Sequence, residues 1–205
     1  MRKSLPILAL FLASVFAVQS AKADDMCSSV AGNLVTNCGF ETGDFTGWSG
    51  TILTDPYAYS AVDGSQPFSG SYGAYFGSGT NDTLYQTLNT VAGTTYTIQF
   101  ALDNEQDPDP AHGYSNDFSV TFGGSTVFTE TNAPEDTETL LTFTAVATGP
   151  STTLTFLSEN QALYWDLDSI SVAAVASPVP EPSSLMLLGT GVAGFAGALR
   201  RRFKR

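Results

Sequence analysis

The sequence predicts an all-β fold, an antiparallel β-sandwich of the jelly-roll type, for residues 24–177. The first observation is a series of short segments in which apolar and polar residues alternate with a period of two, as in half-buried strands. The second is that Gly, Asn and Asp separate these segments, as turns require. The third is that no helical periodicity persists for ten residues between the two terminal segments. Together these features favour two packed antiparallel sheets.

The domain begins with a predicted strand at residues 33–37 and a loop that folds back toward the core. The loop carries three glycines, Gly39, Gly43 and Gly47. It also carries three aromatic side chains that we expect to point inward: Phe40, Phe45 and Trp48. The predicted strands that follow are residues 72–76, 83–88, 94–102, 118–122, 141–145, 153–156 and 169–172.

Residues 103–113 interrupt this pattern with a long acidic loop after a central strand. The loop contains four carboxylates and two amides, and hard oxygen donors of this kind bind Ca²⁺. Its spacing is not that of an EF-hand. The alternative is a solvated loop that its prolines stiffen. The loop also holds His112, the single histidine of the chain, which argues against a histidine-rich zinc site.

Residues 1–23 have the three parts of a secretory signal peptide. Arg2 and Lys3 give a positive start, an apolar stretch follows, and Ala21-Lys22-Ala23 is a small-x-small cleavage site. We therefore expect the mature chain to begin at Asp24, outside the cytoplasm. The alternative is an uncleaved N-terminal anchor.

Residues 178–205 form a second tripartite segment. It consists of a short motif, an uncharged apolar run at residues 183–199, and a basic tail. The run is near the lower length limit for a membrane-spanning helix, and adjacent positive charge favours the cytoplasmic side. The motif residues are Val179, Pro180, Glu181 and Pro182, and the basic residues are Arg200, Arg201, Arg202, Lys204 and Arg205.

This segment resembles the PEP-CTERM sorting signal of Gram-negative bacteria. The resemblance implies recognition by an exosortase, passage through the inner membrane as a single transmembrane helix, and processing near the Pro-Glu-Pro motif. It also implies delivery to the cell surface or to an extracellular exopolysaccharide matrix. The alternative is a plain single-pass anchor with a proline-rich stalk.

The charges are divided between the exported part and the two ends. Residues 24–199 contain all 20 Asp and Glu and none of the 8 Lys and Arg. Such a domain cannot neutralise phosphates, so the sequence excludes nucleic acid as a partner. It also lacks the basic side chains that phosphoryl-transfer sites use. Anionic polysaccharide should be repelled unless divalent cations bridge the two.

The two cysteines, Cys27 and Cys38, both lie in the exported part. The periplasm is oxidising, so we expect a disulfide between them. A pair of free thiols is the alternative. Two cysteines and one distant histidine do not make a metal site.

The opening of the domain resembles that of jelly-roll carbohydrate-binding modules. The matching residues are Asn37, Phe40, Glu41, Gly43 and Trp48. In such modules the Glu often shares a cation with an Asp near the last strand, which here implies a structural Ca²⁺ at Glu41 and Asp168. Ser169 departs from the pattern of that ending. The alternative is that Asp166 and Asp168 face solvent or cap a turn.

Aromatic residues are candidates for stacking on sugar rings. They are Tyr57, Tyr59, Tyr72 and Trp165, with Tyr75 and Tyr114 as further candidates; the alternative is that most of them pack in the core or in cross-strand pairs. No Gly-x-Ser-x-Gly nucleophile motif occurs, and no catalytic residue is assigned. We expect a non-catalytic surface or matrix protein that binds carbohydrate. The alternatives are a small polysaccharide-active enzyme, either a hydrolase or a lyase, and a purely structural matrix component.

Overall fold

A computed structural model of the chain describes residues 24–54, 59–65, 67–105, 109, 111–176, 190 and 200. Its strands are β1 (Tyr59–Asp63), β2 (Gly73–Asn89), β3 (Thr95–Asn104), β4 (Asn116–Phe122), β5 (Ser125–Thr131), β6 (Thr139–Val146) and β7 (Ser151–Ala174). Single 3₁₀ turns occur at Cys27–Ser29 and Thr51–Leu53. All of the strand pairs are antiparallel.

Two long strands, β2 and β7, belong to both layers of the sandwich. In one layer the order is β1-β2-β7-β3-β6. In the other, the second half of β2 pairs with the first half of β7, which then pairs with β4, and β4 pairs with β5. The β2–β7 ladder is irregular between Phe76 and Asp82, where the chains pass from one layer to the other. The predicted β-sandwich is therefore confirmed.

Aromatic side chains fill the space between the layers. Phe100 on β3 lies 5.6 Å from Phe156 on β7 between ring centroids, and Phe143 on β6 lies 5.5 Å from Phe128 on β5. The alternation predicted for residues 94–102 is confirmed, since Tyr96, Ile98, Phe100 and Leu102 are all buried. Burial of these large apolar surfaces is the main stabilising contribution to the fold.

The opening loop packs under the same core. Phe40 and Trp48 are buried and their rings stack at 5.8 Å, so the prediction that they point inward is confirmed. Phe45 is partly buried beside them. The predicted Cys27–Cys38 disulfide is present, with a Cα–Cα distance of 6.0 Å. It ties the first 3₁₀ turn to this loop.

The prediction of a strand at residues 33–37 is wrong. The segment runs beside β7, but a side chain makes one of the hydrogen bonds that a backbone ladder would make. Asn33 Oδ1 accepts from the backbone amide of Val172, and Leu34 N–H donates to the Val172 carbonyl. Asn37 then has a φ of 48° and Phe40 a φ of 55°, so the chain turns away.

Both terminal segments predicted from the sequence fall outside the described residues, apart from Thr190 and Arg200. Within the described part of the chain, no helix has the length and apolar character needed to cross a membrane.

Candidate functional site

The candidate site lies on the outer face of the layer that contains β1, β2, β7, β3 and β6. Three residues stand side by side there, because Tyr75 on β2 pairs with Asp166 on β7, and Asp166 pairs with Asp103 on β3. Their chain neighbours Leu102, Trp165 and Leu167 are buried in the core. Since side chains alternate along a strand, the row itself points outward.

The row forms part of a groove with a volume of about 250 Å³, which we call the acidic groove. It is lined by Asp63, Ser65, Tyr75, Glu105, Tyr164 and Asp166. The two tyrosine rings meet edge to face, with their centroids 5.0 Å apart. The groove therefore combines flat aromatic surface with carboxylates that can accept hydrogen bonds.

A second cavity of about 170 Å³ adjoins the acidic groove at Tyr164. Tyr59 lines it and is 75% exposed, the largest exposure among the large apolar and aromatic side chains in the described residues. Gly77 on its floor has no room for a side chain, because a Cβ there would lie 2.7 Å from the ring of Tyr164. The two cavities are adjacent, and the side chain of Tyr164 lines both of them.

Asp166 is the most unusual residue of the acidic groove. Its side chain is only 8% exposed, and its Oδ2 atom has no hydrogen-bond partner among the described residues. Burial and, to a smaller extent, the charges of Glu105, Asp103, Glu138 and Asp63 together raise the pKa of Asp166 to about 8. This carboxyl group is held among like charges with no basic side chain to offset them.

Two neighbours of Asp166 have the same character. Burial raises the pKa of Glu138 to about 7, helped by the charges of Asp168 and Asp103. Burial also raises the pKa of Asp103 to about 6, helped by Asp136. One carboxylate oxygen of each residue, Oε1 of Glu138 and Oδ1 of Asp103, lacks a hydrogen-bond partner in the described structure.

A second acidic cluster surrounds Asp168, two residues along β7. Asp168 is 1% exposed, and its oxygens accept hydrogen bonds from the backbone amides of Ser69 (2.9 Å) and Ser169 (2.6 Å). Glu41 Oε1 accepts from the amides of Ser71 (2.6 Å) and Tyr72 (3.0 Å). Glu41 and Asp168 are therefore bound to the same loop, at amides two residues apart.

The electrostatics of this cluster suit a cation. The pKa of Asp168 is raised to about 7, mainly by burial and also by the charges of Asp25 and Glu41, against the opposing effect of the two amides. Burial likewise raises the pKa of Asp25. A side chain at Gly70 would collide with the Glu41 carboxylate, so the loop closes against it only with glycine there. Buried carboxylate oxygens are the donors that Ca²⁺ prefers, so the residues fit such an ion.

Among the described residues, one group of three possible metal ligands has its atoms within 4.8 Å of one another: Asp25, Cys27 and Cys38. The two sulfurs form the disulfide, so they are not thiolates and cannot bind a metal as such. Of these three residues, Asp25 alone offers a carboxylate to a metal, and its charge interacts with those of Glu41 and Asp168.

The structure places the predicted stacking residues in different environments. Trp165 is fully buried against Phe118, with its Nε1 donating to the Glu159 carbonyl, so the prediction that it stacks on a ligand is wrong. Tyr72 is half-buried near Gly43. Tyr57 lies outside the described residues.

The predicted acidic loop is described only in part. Its first two residues, Asp103 and Asn104, belong to β3, so the prediction that the loop begins at Asp103 is wrong. Asp109 contacts His112, which stacks on Tyr114.

Three groove residues escaped the sequence analysis, Asp63, Ser65 and Tyr164, and so did Glu138 beside the groove. A signal existed for one of them, because Tyr164 alternates with Trp165 in the same way as Asp166 does. The others come from separate strands and loops, and only the register brings them together.

The comparisons with known proteins bear on the sorting segment and on the fold. Residues 178–202 match the PEP-CTERM protein-sorting motif, which indicates exosortase-dependent export. Among curated proteins none matches the chain significantly.

Similar solved structures include a xylan-binding domain from CBM 22 (14% identity, TM-score 0.52, covering 73% of this chain and 99% of that one). Another is the CBM22-1 xylan-binding domain of Paenibacillus barcinonensis Xyn10C (17%, TM-score 0.52, covering 77% and 99%). A third is the CBM22-1-GH10 part of Clostridium thermocellum xylanase 10B, complexed with xylohexaose (13%, TM-score 0.52, covering 72% and 29%). At these identities the likeness shows the fold. The chain thus carries a PEP-CTERM protein-sorting motif behind a domain with the fold of carbohydrate-binding modules.

Proposed function

We propose that this protein is an exported, non-catalytic module that binds polysaccharide in the acidic groove. The observation that carries the proposal is the pairing of Tyr75 and Tyr164 with Asp166 in one groove. Aromatic faces bury the apolar side of a sugar ring, and carboxylates accept hydrogen bonds from its hydroxyls. The exposed Tyr59 in the adjoining cavity extends this surface.

The solved structures with the same fold support the class of ligand. Those compared above are described as binding xylan or as complexed with xylohexaose. We propose a polysaccharide for this chain on that analogy, joined to the chemistry of its own groove. Because fold does not determine the ligand, the groove residues carry the argument.

We further propose a structural Ca²⁺ site at Glu41 and Asp168, with Asp25 adding negative charge. The ion would supply the positive charge that the chain lacks in residues 24–199. Its effect would be to hold the loop at Ser69 and Ser71 against β7. An ion that binds only the folded state raises stability.

The proposed organisation is a signal peptide at residues 1–23, the β-sandwich at 24–177, and a sorting segment at 178–205. In transit, residues 183–199 would span the inner membrane while Arg200 and the following basic residues stay in the cytoplasm. Exosortase would process the chain near Pro180, Glu181 and Pro182. The sandwich would then stay at the cell surface or enter the extracellular matrix.

The test is binding of the exported protein to a panel of polysaccharides. Tyr75→Ala and Tyr164→Ala should each weaken binding roughly fivefold to a hundredfold, because truncating an aromatic anchor of a binding surface costs about 1–3 kcal/mol. Tyr85→Ala is the matched control, because Tyr85 is also partly exposed but lies on the other layer. Equal binding by all four proteins would contradict the proposal.

A second candidate function is cleavage of polysaccharide. The raised pKa values of Asp166 and Glu138 favour it, because a protonated carboxyl group at neutral pH can act as a general acid. Incubating the bound polysaccharide with the protein and measuring new reducing ends decides between the two. Turnover that Asp166→Asn abolishes would establish an enzyme.

A further inference from the structure

We infer that the acidic groove itself binds a hard divalent cation, Ca²⁺, at Asp166, in a site separate from the one proposed at Glu41 and Asp168. The observation behind it is a carboxylate more than nine-tenths buried that lines the groove and has an oxygen, Oδ2, without a hydrogen-bond partner in the described structure. Burying such an oxygen is costly unless a proton or a cation compensates it.

The chain offers no cation of its own for this position. Residues 24–199 contain no Lys or Arg, so no basic side chain of the sandwich can reach Asp166. The neighbours make the requirement stronger, because Asp63 and Glu105 line the same groove and Asp103 stands opposite Asp166 on β3. Compensation of the charge must therefore come from solution.

Two further orphan oxygens belong to the same face. Asp103 Oδ1 is buried without a partner among the described residues, and so is Glu138 Oε1. Thr139 pairs with Leu102, so Glu138 follows in register beside Asp103. These buried oxygens have no hydrogen-bond donors and lie beside an open groove. A cation bound there would take the place of the missing donors.

The two acidic clusters are coupled through Glu138, whose carboxyl group feels both Asp168 and Asp103, but their other partners differ. The charges that act on Asp166 are those of Glu105, Asp103, Glu138 and Asp63. Those that act on Asp168 are Asp25 and Glu41. The loop at Ser69 covers Asp168, whereas Asp166 lines open space. A single ion would therefore not neutralise both the Asp166 cluster and the Asp168 cluster.

The coordination at Asp166 would be incomplete from protein alone. Among the described residues, no three carboxylates of the groove bring one oxygen each within 4.8 Å of one another. One or two of them would hold the ion, and Ca²⁺ needs six to eight oxygens. The open positions suit vicinal hydroxyls or a carboxylate of a saccharide. This last step rests on the proposed function, and it makes glycan binding dependent on the cation.

The experiment titrates the exported protein with Tb³⁺ and excites tyrosine, with no saccharide present. Tb³⁺ substitutes for Ca²⁺ and emits when a nearby tyrosine transfers energy to it, and Tyr75 and Tyr164 line the groove. We expect saturable emission that Ca²⁺ competes away. The double variant Tyr75→Phe/Tyr164→Phe should lower the groove's emission, with Trp165 still able to transfer energy, but retain the metal.

Asp166→Asn should weaken Tb³⁺ affinity by at least roughly tenfold, the loss that even an outer-shell partner of a metal causes. Asp44→Asn, which removes an exposed carboxylate elsewhere, should leave the affinity unchanged. Glu41→Gln should leave the groove's emission intact. The inference would be overturned if Asp166→Asn left unchanged the emission that Tyr75→Phe/Tyr164→Phe removes, or if only Glu41→Gln removed that emission.

The proposed function is tested separately. If the polysaccharide panel is negative while Asp166→Asn still weakens Tb³⁺ binding, the cation site stands and the glycan proposal fails. If a glycan binds equally well with EDTA and with Ca²⁺, the cation has no part in recognition and that step is overturned.

Discussion

Asp103 and Asp166 stand directly opposite each other on the neighbouring strands β3 and β7, and both point out of the sandwich. The adjacent pair, Leu102 and Leu167, faces the core. Opposed like charges in a sheet are destabilising, and here no basic side chain lies between them. A sheet tolerates such a pair when a ligand, a cation or a proton offsets the repulsion between the two carboxylates.

The first prediction concerns Trp165, which is fully buried beside Phe118. Trp165→Ala should lower the free energy of unfolding by about 3–5 kcal/mol, because it removes a large core side chain. Denaturant unfolding measures this. Tyr59→Ala, at a side chain that is 75% exposed, should change stability by only about 0.5 kcal/mol. A small loss for Trp165→Ala would mean that the side chain is not in the core.

The second prediction concerns pH in buffer that contains EDTA. The folded pKa values of Asp103, Glu138 and Asp166 are about 6, 7 and 8, above the ordinary 3.8 for Asp and 4.5 for Glu. Between these limits the folded state holds more protons than the unfolded state. The free energy of unfolding should therefore fall as the pH rises from about 4 to about 8.

Thermal melts across this pH range check the sign. Asp166→Asn should flatten the upper part of the profile, because it removes the group with the highest pKa of the three. A wild-type protein that becomes steadily more stable up to pH 8 would contradict the account.

The third prediction concerns removal of Ca²⁺. Millimolar Ca²⁺ should raise the melting temperature relative to EDTA, because the ion binds only the folded state. Glu41→Gln should reduce this increase, since the variant keeps the shape but loses one charge beside Asp168. Asp44→Asn is the control and should keep the full increase. Identical melts in EDTA and Ca²⁺ for the wild type would remove the proposed structural site.

The fourth prediction concerns sorting, where residues 178–202 match the PEP-CTERM motif. The form recovered from the surface or medium should lack most of residues 183–205, and intact mass spectrometry measures this. Glu181→Gln should accumulate the longer form in the cell envelope. Recovery of only the tail-bearing form from cells with an active exosortase would argue against processing.

The sequence was sufficient for the architecture because local alternation reports which face of a strand is buried. It identified the inward ring of Phe40 and the Cys27–Cys38 pairing. It did not reveal that β2 and β7 each pass through both layers, since a bend leaves the alternation on either side intact. It also mistook the segment at Asn33 for a strand, because a side-chain amide can replace backbone pairing.

The candidate site was harder to predict for a physical reason. Trp165 is a stacking candidate in the sequence because tryptophan suits sugar rings, but its position one residue before Asp166 turns it into the core. The groove joins Asp63, Tyr75 and Glu105 with β7, from elements far apart in the chain. Strand register sets their proximity, and the local pattern of a single sequence does not reveal which strands pair or in which register.

The most direct test of the central claim is where a bound oligosaccharide lies. The measurement is a structure of the exported protein with the oligosaccharide that the polysaccharide panel selects, prepared in Ca²⁺. The account predicts a sugar ring against Tyr75 and Tyr164, with a hydroxyl within reach of Asp166 or of an ion bound to it. A ligand on the opposite layer near Tyr85, with the acidic groove empty, would contradict it.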